Sequence, residues 1–457
     1  ASMSRAPPRK SAHGLAASAM SLALGALVLA GCAPAAAAAD AAYALQESYV
    51  GPDFFSKWEF WAAPDPANGA VTYVDRATAV ATGLATASAD HVRIGTGQAL
   101  PGDMGRRSVR IQSSTVYNQG LFVVQVDHIP AGCGTWPAFW MYGEDAGHEW
   151  PAWGEYDIIE SMHEMRRTMT TLHTGPGCDQ SSVGAGIDFA ASWDMGSAGG
   201  EADNCYINAE GQYPNQGCSQ VGPMDSAGAL FNTGGGGTFA AEWDPVAQHI
   251  RTWFWPTGTE PADVARRAPE PAAWGLPYSY FSLAPQACAP FHFVNMRLVF
   301  NIDFCGDLGD AEGVFAEHCP TAAAGGLTCA EYIEQHPEDM LEAFWSIRTL
   351  DVYQRAGPAS YYRHWILLGL LVVLGSLAGL VGASSAVGRR DLTCSPDYDE
   401  VDCGYHYRHN PRGHAECGAQ GELLGDLDPP CSLGDFGWFG RLLRHMGIAR
   451  RRVVVTL

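Results

Sequence analysis

The sequence predicts an all-β domain over residues 40–356 of the 457-residue chain. Short apolar or alternating runs, separated by clusters of Gly, Pro and Asn, are typical of strands joined by turns. The clearest of these runs are residues 121–126, 156–159, 168–172, 250–255 and 296–302. Helical periodicity is weak outside residues 329–344. The Gly-rich stretch 195–238 is of the kind that shapes a binding surface on a rigid β scaffold.

The composition excludes several classes of protein. With 47% hydrophobic residues and 14 Trp, the chain has enough apolar material for a folded core, so it is not an intrinsically disordered protein. Its formal net charge of −22 repels phosphate backbones, and no nucleic-acid partner is expected. No cofactor and no metal site are expected: the Cys residues lack the CxxC spacing of a zinc site, whereas a bound Ca²⁺ is left open by the sequence.

The cysteines indicate an oxidising compartment. Eight of the 13 Cys fall in the predicted domain and four in residues 388–457. An even set of eight in an exported chain is typical of a disulfide framework, although eight Cys allow 105 pairings and the sequence leaves them open. The eight are Cys133, Cys178, Cys205, Cys218, Cys288, Cys305, Cys319 and Cys329.

The first 39 residues are typical of a signal peptide. Basic residues (Arg5, Arg9, Lys10) precede an apolar run over 15–30, and small residues follow it. Residues 29–32 (LAGC) also match a bacterial lipoprotein cleavage box, which leaves lipidation of Cys32 as an open alternative.

A second apolar run predicts one C-terminal transmembrane helix. Residues 365–387 carry no charge over 23 positions, and at about 1.5 Å per residue they would span a bilayer core. Arg389 and Arg390 follow directly, which predicts a cytosolic tail over 388–457. The expected arrangement is a single-pass protein with residues 40–356 on the extracellular face of a membrane.

The segment 154–160 (GEYDIIE) is the candidate catalytic strand. Alternation places Glu155 and Asp157 on one face, and one extra residue, a β-bulge, would return Glu160 to that face. Carboxylates gathered in this way repel each other and raise the pKa of at least one, as glycosidic hydrolysis requires. The alternative interpretation is a solvated edge strand with alternating acids.

Aromatic residues surround this strand. Trp136, Trp140, Trp150 and Trp153 lie within 18 residues just before the acids. Flat indole faces stack on pyranose rings, so these residues are candidates for substrate binding. His173 lies on the next predicted strand, where it could orient an acid or serve a structural role.

Three segments together resemble glycoside hydrolase family sixteen, in particular the fungal-type endo-1,3(4)-β-glucanases, or laminarinases. They are residues 134–140 (GTWPAFW), 154–160 (GEYDIIE) and 172–178 (LHTGPGC). Shorter matches continue in the same order to about residue 355, so the resemblance covers the whole predicted domain.

The resemblance implies a two-sheet β-jelly-roll sandwich with a concave substrate cleft. It also implies Glu155 as nucleophile, Glu160 as general acid/base and Asp157 as an electrostatic partner between them. Trp136, Trp140 and His173 would line the sugar subsites. The expected reaction is hydrolysis of β-1,3-glucan, with or without mixed 1,3/1,4 linkages, through a covalent intermediate.

Two other functions are compatible with the same sequence. A transglycosylase would use the same three acids, and a membrane glucan-binding receptor could use the fold without chemistry. The three acids argue against a pure binder, which has no need of a repulsive carboxylate cluster. Ser161, Met162 and His163 depart from the Gly and nearby Asn that fungal relatives usually carry, which affects the expected subsite preference.

Overall fold

The computed structural model describes residues 42–311 and 313–355. The predicted signal peptide (1–39), transmembrane helix (365–387) and cytosolic tail (388–457) lie outside these residues. Within the described ranges, no helix combines the length and the hydrophobicity that crossing a bilayer requires.

The predicted all-β sandwich is confirmed. In chain order, the strands of the described residues are β1 (Tyr43–Tyr49), β2 (Trp58–Trp61), β3 (Val71–Tyr73), β4 (Ala85–Ala87), β5 (Val92–Gly95), β6 (Arg106–Ser108), β7 (Arg110–Ser113), β8 (Gly120–His128), β9 (Thr135–Gly143), β10 (Glu155–Glu160), β11 (Met169–His173), β12 (Ser192–Trp193), β13 (Cys218–Val221), β14 (Gly237–Asp244), β15 (His249–Pro256), β16 (Ser279–Ser282), β17 (Met296–Phe304) and β18 (Phe344–Arg355).

Short helices occupy the connections between strands. The α-helices of the described residues are α1 (Arg76–Ala81), α2 (Gly228–Thr233), α3 (Ala262–Ala265), α4 (Gly306–Gly309), α5 (Val314–His318), α6 (Pro320–Ala324) and α7 (Cys329–Gln335). The 3₁₀ helices are Phe54–Lys57, Pro271–Ala273, Pro290–His292 and Pro337–Glu342.

The strands form two eight-stranded antiparallel sheets. Sheet A has the order β16–β15–β14–β8–β18–β5–β4, with β1 also paired to β18. Sheet B has the order β12–β13–β11–β10–β9–β17–β7–β2, and β3 pairs with β6 in a separate parallel ribbon. The candidate catalytic strand β10 therefore lies in the middle of sheet B, and the edge-strand alternative is wrong.

The core lies between the two sheets. Phe122 and Val124 of β8 and Phe139 of β9 are among its fully buried side chains. Burying a side chain of this size contributes about 1.5–3 kcal/mol. Leu121 and Val123 point to the opposite face of β8, where they pack in a second apolar cluster. Because both faces of β8 are covered, its sequence reads as a nearly continuous hydrophobic run.

The expected disulfide framework is confirmed, and all eight Cys are paired. The pairs are Cys133–Cys319, Cys178–Cys288, Cys205–Cys218 and Cys305–Cys329. Cys178–Cys288 and Cys205–Cys218 hold the loops that surround the end of β11. The long Gly-rich stretch 195–238 differs from a plain loop, since it contributes β13 to sheet B and contains α2.

Candidate active site

A β-bulge in β10 gathers the three predicted carboxylates on one face. Glu155 and Asp157 stand opposite Tyr142 and Trp140 of β9, and the register then shifts by one residue before Glu160. The pairing with β11 shifts in the same interval. The extra residue restores Glu160 to the face of Glu155 and Asp157, as the sequence predicted.

The apolar residues of β10 show why the bulge is stable. Tyr156, Ile158 and Ile159 are all buried in the sandwich core. The two consecutive isoleucines cannot both face the core in regular alternation, so burying both favours the irregular strand. Core packing on one face thus fixes the position of Glu160 on the other.

Residues that stand opposite each other in neighbouring strands share a face of the sheet. We define the site face as the face of sheet B that carries the three acids and points away from sheet A. On β9, Trp140 stands opposite Asp157 and Tyr142 opposite Glu155; on β11, Thr171 stands opposite Asp157 and His173 opposite Glu155. Asn301 of β17 lies one strand further away, opposite Ala138, which itself stands opposite Glu160.

Two indole N–H groups donate to the outer carboxylates. Trp136 Nε1 donates to Glu160 Oε1 at 2.9 Å, and Trp150 Nε1 donates to Glu155 Oε2 at 2.6 Å. Both side chains were predicted to bind substrate through their ring faces. The structure adds a second property, because each also supplies a hydrogen bond that favours the ionised form of a carboxylate.

His173 approaches the other side of the acids. Its Nε2 lies 3.3 Å from Asp157 Oδ2 and 4.0 Å from Glu155 Oε1. Gly217 allows this position, because its φ is +64° and an added Cβ would lie 2.9 Å from His173 Nδ1. A side chain at position 217 would therefore displace the imidazole.

Burial is the dominant influence on the three acids. It raises the pKa of Glu155, and the neighbouring charge of Asp157 raises it further, whereas His173 and the Trp150 indole lower it. Burial and the charge of Glu160 raise the pKa of Asp157 well above its ordinary value. Burial also raises the pKa of Glu160, against the Trp136 hydrogen bond. Charge repulsion keeps the three groups from ionising together, so they share protons.

Trp140 leads to polar residues that the sequence analysis missed. Its Nε1 donates to Asn301 Oδ1 at 2.9 Å, and Asn301 Nδ2 donates to the hydroxyl of Tyr73. The guanidinium of Arg110 lies 5.0 Å from the centre of the Trp140 ring and 4.8 Å from that of Trp61. The sequence did contain a signal for Asn301, because it is a polar residue within the apolar run 296–302. Nothing in the local sequence of Arg110 indicated its role.

Trp153, the fourth Trp that was a candidate for substrate binding, makes a different kind of contact from the other three. Its ring stacks on His148, with centroids 4.1 Å apart and an interplanar angle of 19°. Trp136, Trp140 and Trp150 instead donate to polar groups of the site face.

Within the described residues, three groups of side chains have a spacing that a cation could use, and one of them, Cys305, Asp310 and Cys329, has both its cysteines in a disulfide. Glu155, Asp157 and His173 each offer a ligand atom within 4.8 Å of the others, and so do Glu242, Asp244 and His249 on sheet A. At the group on sheet A, positive charge is already supplied by guanidinium groups such as that of Arg251, whose Nε donates to Glu242 at 2.7 Å.

Comparison with known proteins adds independent information. A model of the XgeA-like catalytic domain of glycoside hydrolase family 16 matches residues 58–353. An endo-1,3(4)-β-glucanase of Arthroderma benhamiae is 35% identical over 325 residues, which cover 69% of this chain and 65% of the relative. A probable glycosidase of Schizosaccharomyces pombe is 33% identical over 315 residues, covering 68% and 69% of the two chains. The chain spans about half the length of other curated relatives, such as one from Aspergillus clavatus (47%).

Solved structures agree with this assignment. Laminarinase 16A of Phanerochaete chrysosporium, solved with β-glucans in its donor and acceptor sites, is 33% identical with a TM-score of 0.59. The match covers 69% of this chain and all of that one. An elongating family 16 β-1,3-glucosyltransferase is 30% identical, with the same TM-score, over 68% of this chain and all of that one. The family match over residues 58–353 and these relatives together show that the chain belongs to glycoside hydrolase family 16.

Proposed function

We propose that the protein is a retaining endo-β-glucanase that hydrolyses β-1,3-linked glucan, alone or in mixed 1,3/1,4 chains. The observation that carries the proposal is the bulge of β10, which gathers Glu155, Asp157 and Glu160 on one face of sheet B. Glycosidic hydrolysis requires two carboxyl groups in different protonation states. The names of the endo-1,3(4)-β-glucanase and laminarinase relatives support the substrate class.

The proposed reaction has two steps, in which Glu155 is the nucleophile and Glu160 is first the general acid and then the general base. The Glu155 carboxylate attacks the anomeric carbon and forms a glycosyl ester, while Glu160 gives its proton to the departing glycosidic oxygen. Glu160, now ionised, removes a proton from water. That water attacks the anomeric carbon and releases Glu155 as a carboxylate, so the enzyme returns to its initial state.

Asp157 sets the charge of the pair. Its pKa is raised well above the ordinary value, because burial and the charge of Glu160 both disfavour its ionised form. Burial raises the pKa of Glu155, and a proton held on Asp157 removes the additional repulsion, so that Trp150 and His173 can favour the ionised form of Glu155. This distribution leaves Glu155 as the nucleophile and Glu160 as the acid.

The indoles and His173 bind the sugar chain. The ring faces of Trp136, Trp140 and Trp150 supply apolar surface for pyranose rings, and their N–H groups are engaged with protein acceptors. His173 lies within reach of both Glu155 and Asp157 and fixes the orientation of these carboxylates beside the bound sugar.

Transglycosylation is the second candidate function. It is favoured by the 30% identity with an elongating β-1,3-glucosyltransferase of the same family. The first step is identical, and in the second a sugar hydroxyl replaces water. A glucan-binding receptor is the weaker candidate, since binding alone does not require three repelling buried acids.

The first experiment measures reducing ends released from a soluble β-1,3-glucan by the wild type and by Glu155→Gln. Hydrolysis by the wild type and a loss of about 10³-fold or more in the variant are expected. Glu342→Gln, an exposed acid paired with His128, is the matched control and should retain activity. Elongated products without net reducing ends would support the transglycosylase. An inverted anomeric product would refute the retaining mechanism.

We also propose that the domain acts on the extracellular face of a membrane, anchored by residues 365–387. The signal peptide predicted over 1–39 and the four disulfides of the domain support an exported protein. Expression of a tagged chain followed by carbonate extraction and external protease treatment tests this. Release into the soluble fraction would contradict the anchor.

A further inference from the structure

A buried histidine lies in the loop that follows the proposed acid. His163 follows Glu160 by three residues, in the loop between β10 and β11, and its side chain and backbone are only 2% exposed. Its φ of +53° falls in the left-handed region, which residues other than glycine rarely adopt. The proposed chemistry assigns this residue no part.

The imidazole of His163 joins two other segments of chain. The N–H of Gly134 donates to Nδ1 at 3.0 Å, and Nε2 lies 2.9 Å from the carbonyl oxygen of Gly309. An amide N–H can only donate and a carbonyl can only accept, so Nδ1 is the acceptor and Nε2 carries the hydrogen. These two partners specify a neutral ring with one tautomer.

The main chain of His163 continues the same connection. Its N–H donates to the carbonyl of Thr135 at 2.7 Å, and its own carbonyl accepts the N–H of Gly132 at 3.3 Å. Thr135 immediately precedes Trp136, whose indole N–H is bonded to Glu160. His163 therefore connects the loop after Glu160 to the start of β9, together with Ser161, whose N–H donates to the carbonyl of Pro137 at 3.3 Å.

The third segment also contacts the acid's partner. Gly306 begins helix α4, and a Cβ at this position would lie 3.1 Å from Cζ3 of Trp136. Gly309 ends the same helix and accepts the hydrogen bond from His163. A displacement of the imidazole would thus move both the strand that carries Trp136 and the helix that packs against its ring.

We propose that His163 is a positioning residue for Glu160: its neutral imidazole holds the acid and Trp136 in place, and protonation of the ring releases them. The inference rests on the proposed role of Glu160. A proton on Nδ1 would direct an N–H group at the N–H of Gly134, so an attractive contact would become a repulsive one.

The surroundings of the ring decide when it takes up a proton. The ionisable ring that faces it is His318 of α5, with centroids 6.5 Å apart, and the uncharged ring of Phe315 lies at 5.4 Å. Glu164 follows His163 in its own loop, and Asp310 follows Gly309. Burial, with a smaller contribution from His318, lowers the pKa of His163 to about 4. The ring consequently stays neutral at mildly acidic pH.

Two substitutions separate the hydrogen bond from the titration. In His163→Asn, the amide oxygen can take the place of Nδ1 as acceptor for Gly134, Asn tolerates a positive φ, and the side chain does not titrate. His163→Ala removes both hydrogen bonds of the ring. His91→Asn changes a half-exposed histidine in the turn between β4 and β5 that pairs with Asp127, and it serves as the control.

The measurement is kcat and KM for soluble β-1,3-glucan from pH 3 to 8, with thermal unfolding at each pH. We expect His163→Asn to keep kcat at pH 6 within about threefold of the wild type and His163→Ala to lose at least tenfold. KM should change less than twofold in both, because the ring does not face the sugar. Below pH 5 the wild type should lose kcat more steeply than His163→Asn, because both Glu155 and His163 take up protons in the wild type and only Glu155 does so in the variant.

Thermal unfolding tests the inference without reference to activity. The unfolded imidazole takes up a proton between pH 6.5 and about 4, and the folded ring does not, so acidification destabilises the wild type over this window. His163→Asn should lose less Tm than the wild type, and His91→Asn should follow the wild type. If His163→Ala does not fold, the comparison between the wild type and His163→Asn still tests the inference.

Three results would overturn the inference. They are identical acid limbs of kcat in the wild type and His163→Asn, identical pH dependence of Tm in the two, or a KM effect with unchanged kcat in His163→Ala. Absence of glucan hydrolysis by the wild type would instead refute the proposed function, and the Tm comparison would remain valid as a test of the neutral ring.

Discussion

The hydrogen bond from Trp136 to Glu160 allows a quantitative prediction about pH dependence. Trp136→Phe removes the indole N–H and keeps an aromatic ring at the position. A hydrogen bond to an ionised group contributes about 1.5–3 kcal/mol, and Glu160 is only 8% exposed, so water replaces little of that loss. A change of about 1.4 kcal/mol shifts an ionisation equilibrium tenfold. The ionised form of Glu160 therefore becomes less favourable by a factor of at least about ten.

The direction of the effect follows from the role of Glu160. The bond to Trp136 lowers the pKa of Glu160, so its removal raises that pKa. Since the acid must be protonated for the first step, the basic limb of kcat/KM against pH should move up by about one pH unit. The second step needs an ionised Glu160, so turnover near neutral pH should become limited by release of the glycosyl ester.

Trp140→Phe provides a matched control for this prediction. Trp140 Nε1 donates over the same distance, 2.9 Å, but to the neutral amide of Asn301. Its loss should weaken binding and leave the basic limb in place. A basic limb that stays or moves to lower pH in Trp136→Phe, or an equal movement in Trp140→Phe, would refute the reasoning.

Three further predictions concern the acid limb and the stability of the sandwich. Trp150→Phe should move the acid limb of kcat/KM to higher pH, because the indole lowers the pKa of Glu155. This movement should be smaller than that of the basic limb in Trp136→Phe, because Trp150 is 38% exposed. A movement of the basic limb in Trp150→Phe would contradict the prediction. Glu242→Gln should lower the unfolding free energy, measured by urea titration, by about 3 kcal/mol, because it leaves Arg251 without its buried counter-charge. Activity at 25 °C should be retained. Since the pKa of Glu242 is lowered to about 2, its contribution is complete above pH 4.5 and disappears toward pH 2, so the two proteins should converge there. Replacing Cys178 and Cys288 by Ser should lower the unfolding free energy by about 2–5 kcal/mol, and an unchanged value would show that the loop closure has no effect.

The local pattern of β10 predicted that the three acids share a face, because the relevant information is contained in seven consecutive residues. Alternation assigned Glu155 and Asp157 to one face, and the presence of two adjacent isoleucines before Glu160 accompanies the bulge that the structure contains. The nearby indoles were found for the same reason, since β9 and the loop after it are adjacent in sequence to β10.

The rest of the site could not be predicted, because it depends on pairing between distant strands. Asn301 reaches Trp140 across 161 positions of sequence. Arg110 reaches Trp140 from β7, a strand that pairs with β17 rather than with β9. Register between strands so far apart is determined by the whole core and not by any local segment. The disulfide pairing was open for the same reason, with Cys133 and Cys319 separated by 186 residues.

Two buried acidic clusters of the described residues, one on each sheet, differ in how their charge is compensated, and the difference favours the cluster on sheet B as the candidate active site. Glu242 on sheet A is fully buried, but Arg251, Arg355 and His249 compensate its charge, and its pKa is lowered. On sheet B, the ion-pair partner that the described residues offer to Glu155 and Asp157 is His173, and the pKa of both acids is raised.

A cluster whose charges are compensated stabilises one protonation state and has no tendency to exchange protons at moderate pH. A cluster that retains its repulsion has raised pKa values, so it still carries a proton to donate at moderate pH, and a positive charge nearby stabilises it. The developing charge at the anomeric carbon of a bound sugar is positive, so it would relieve the repulsion among Glu155, Asp157 and Glu160 in the transition state. The repulsion among the three acids, which destabilises the free domain, would then favour the reaction.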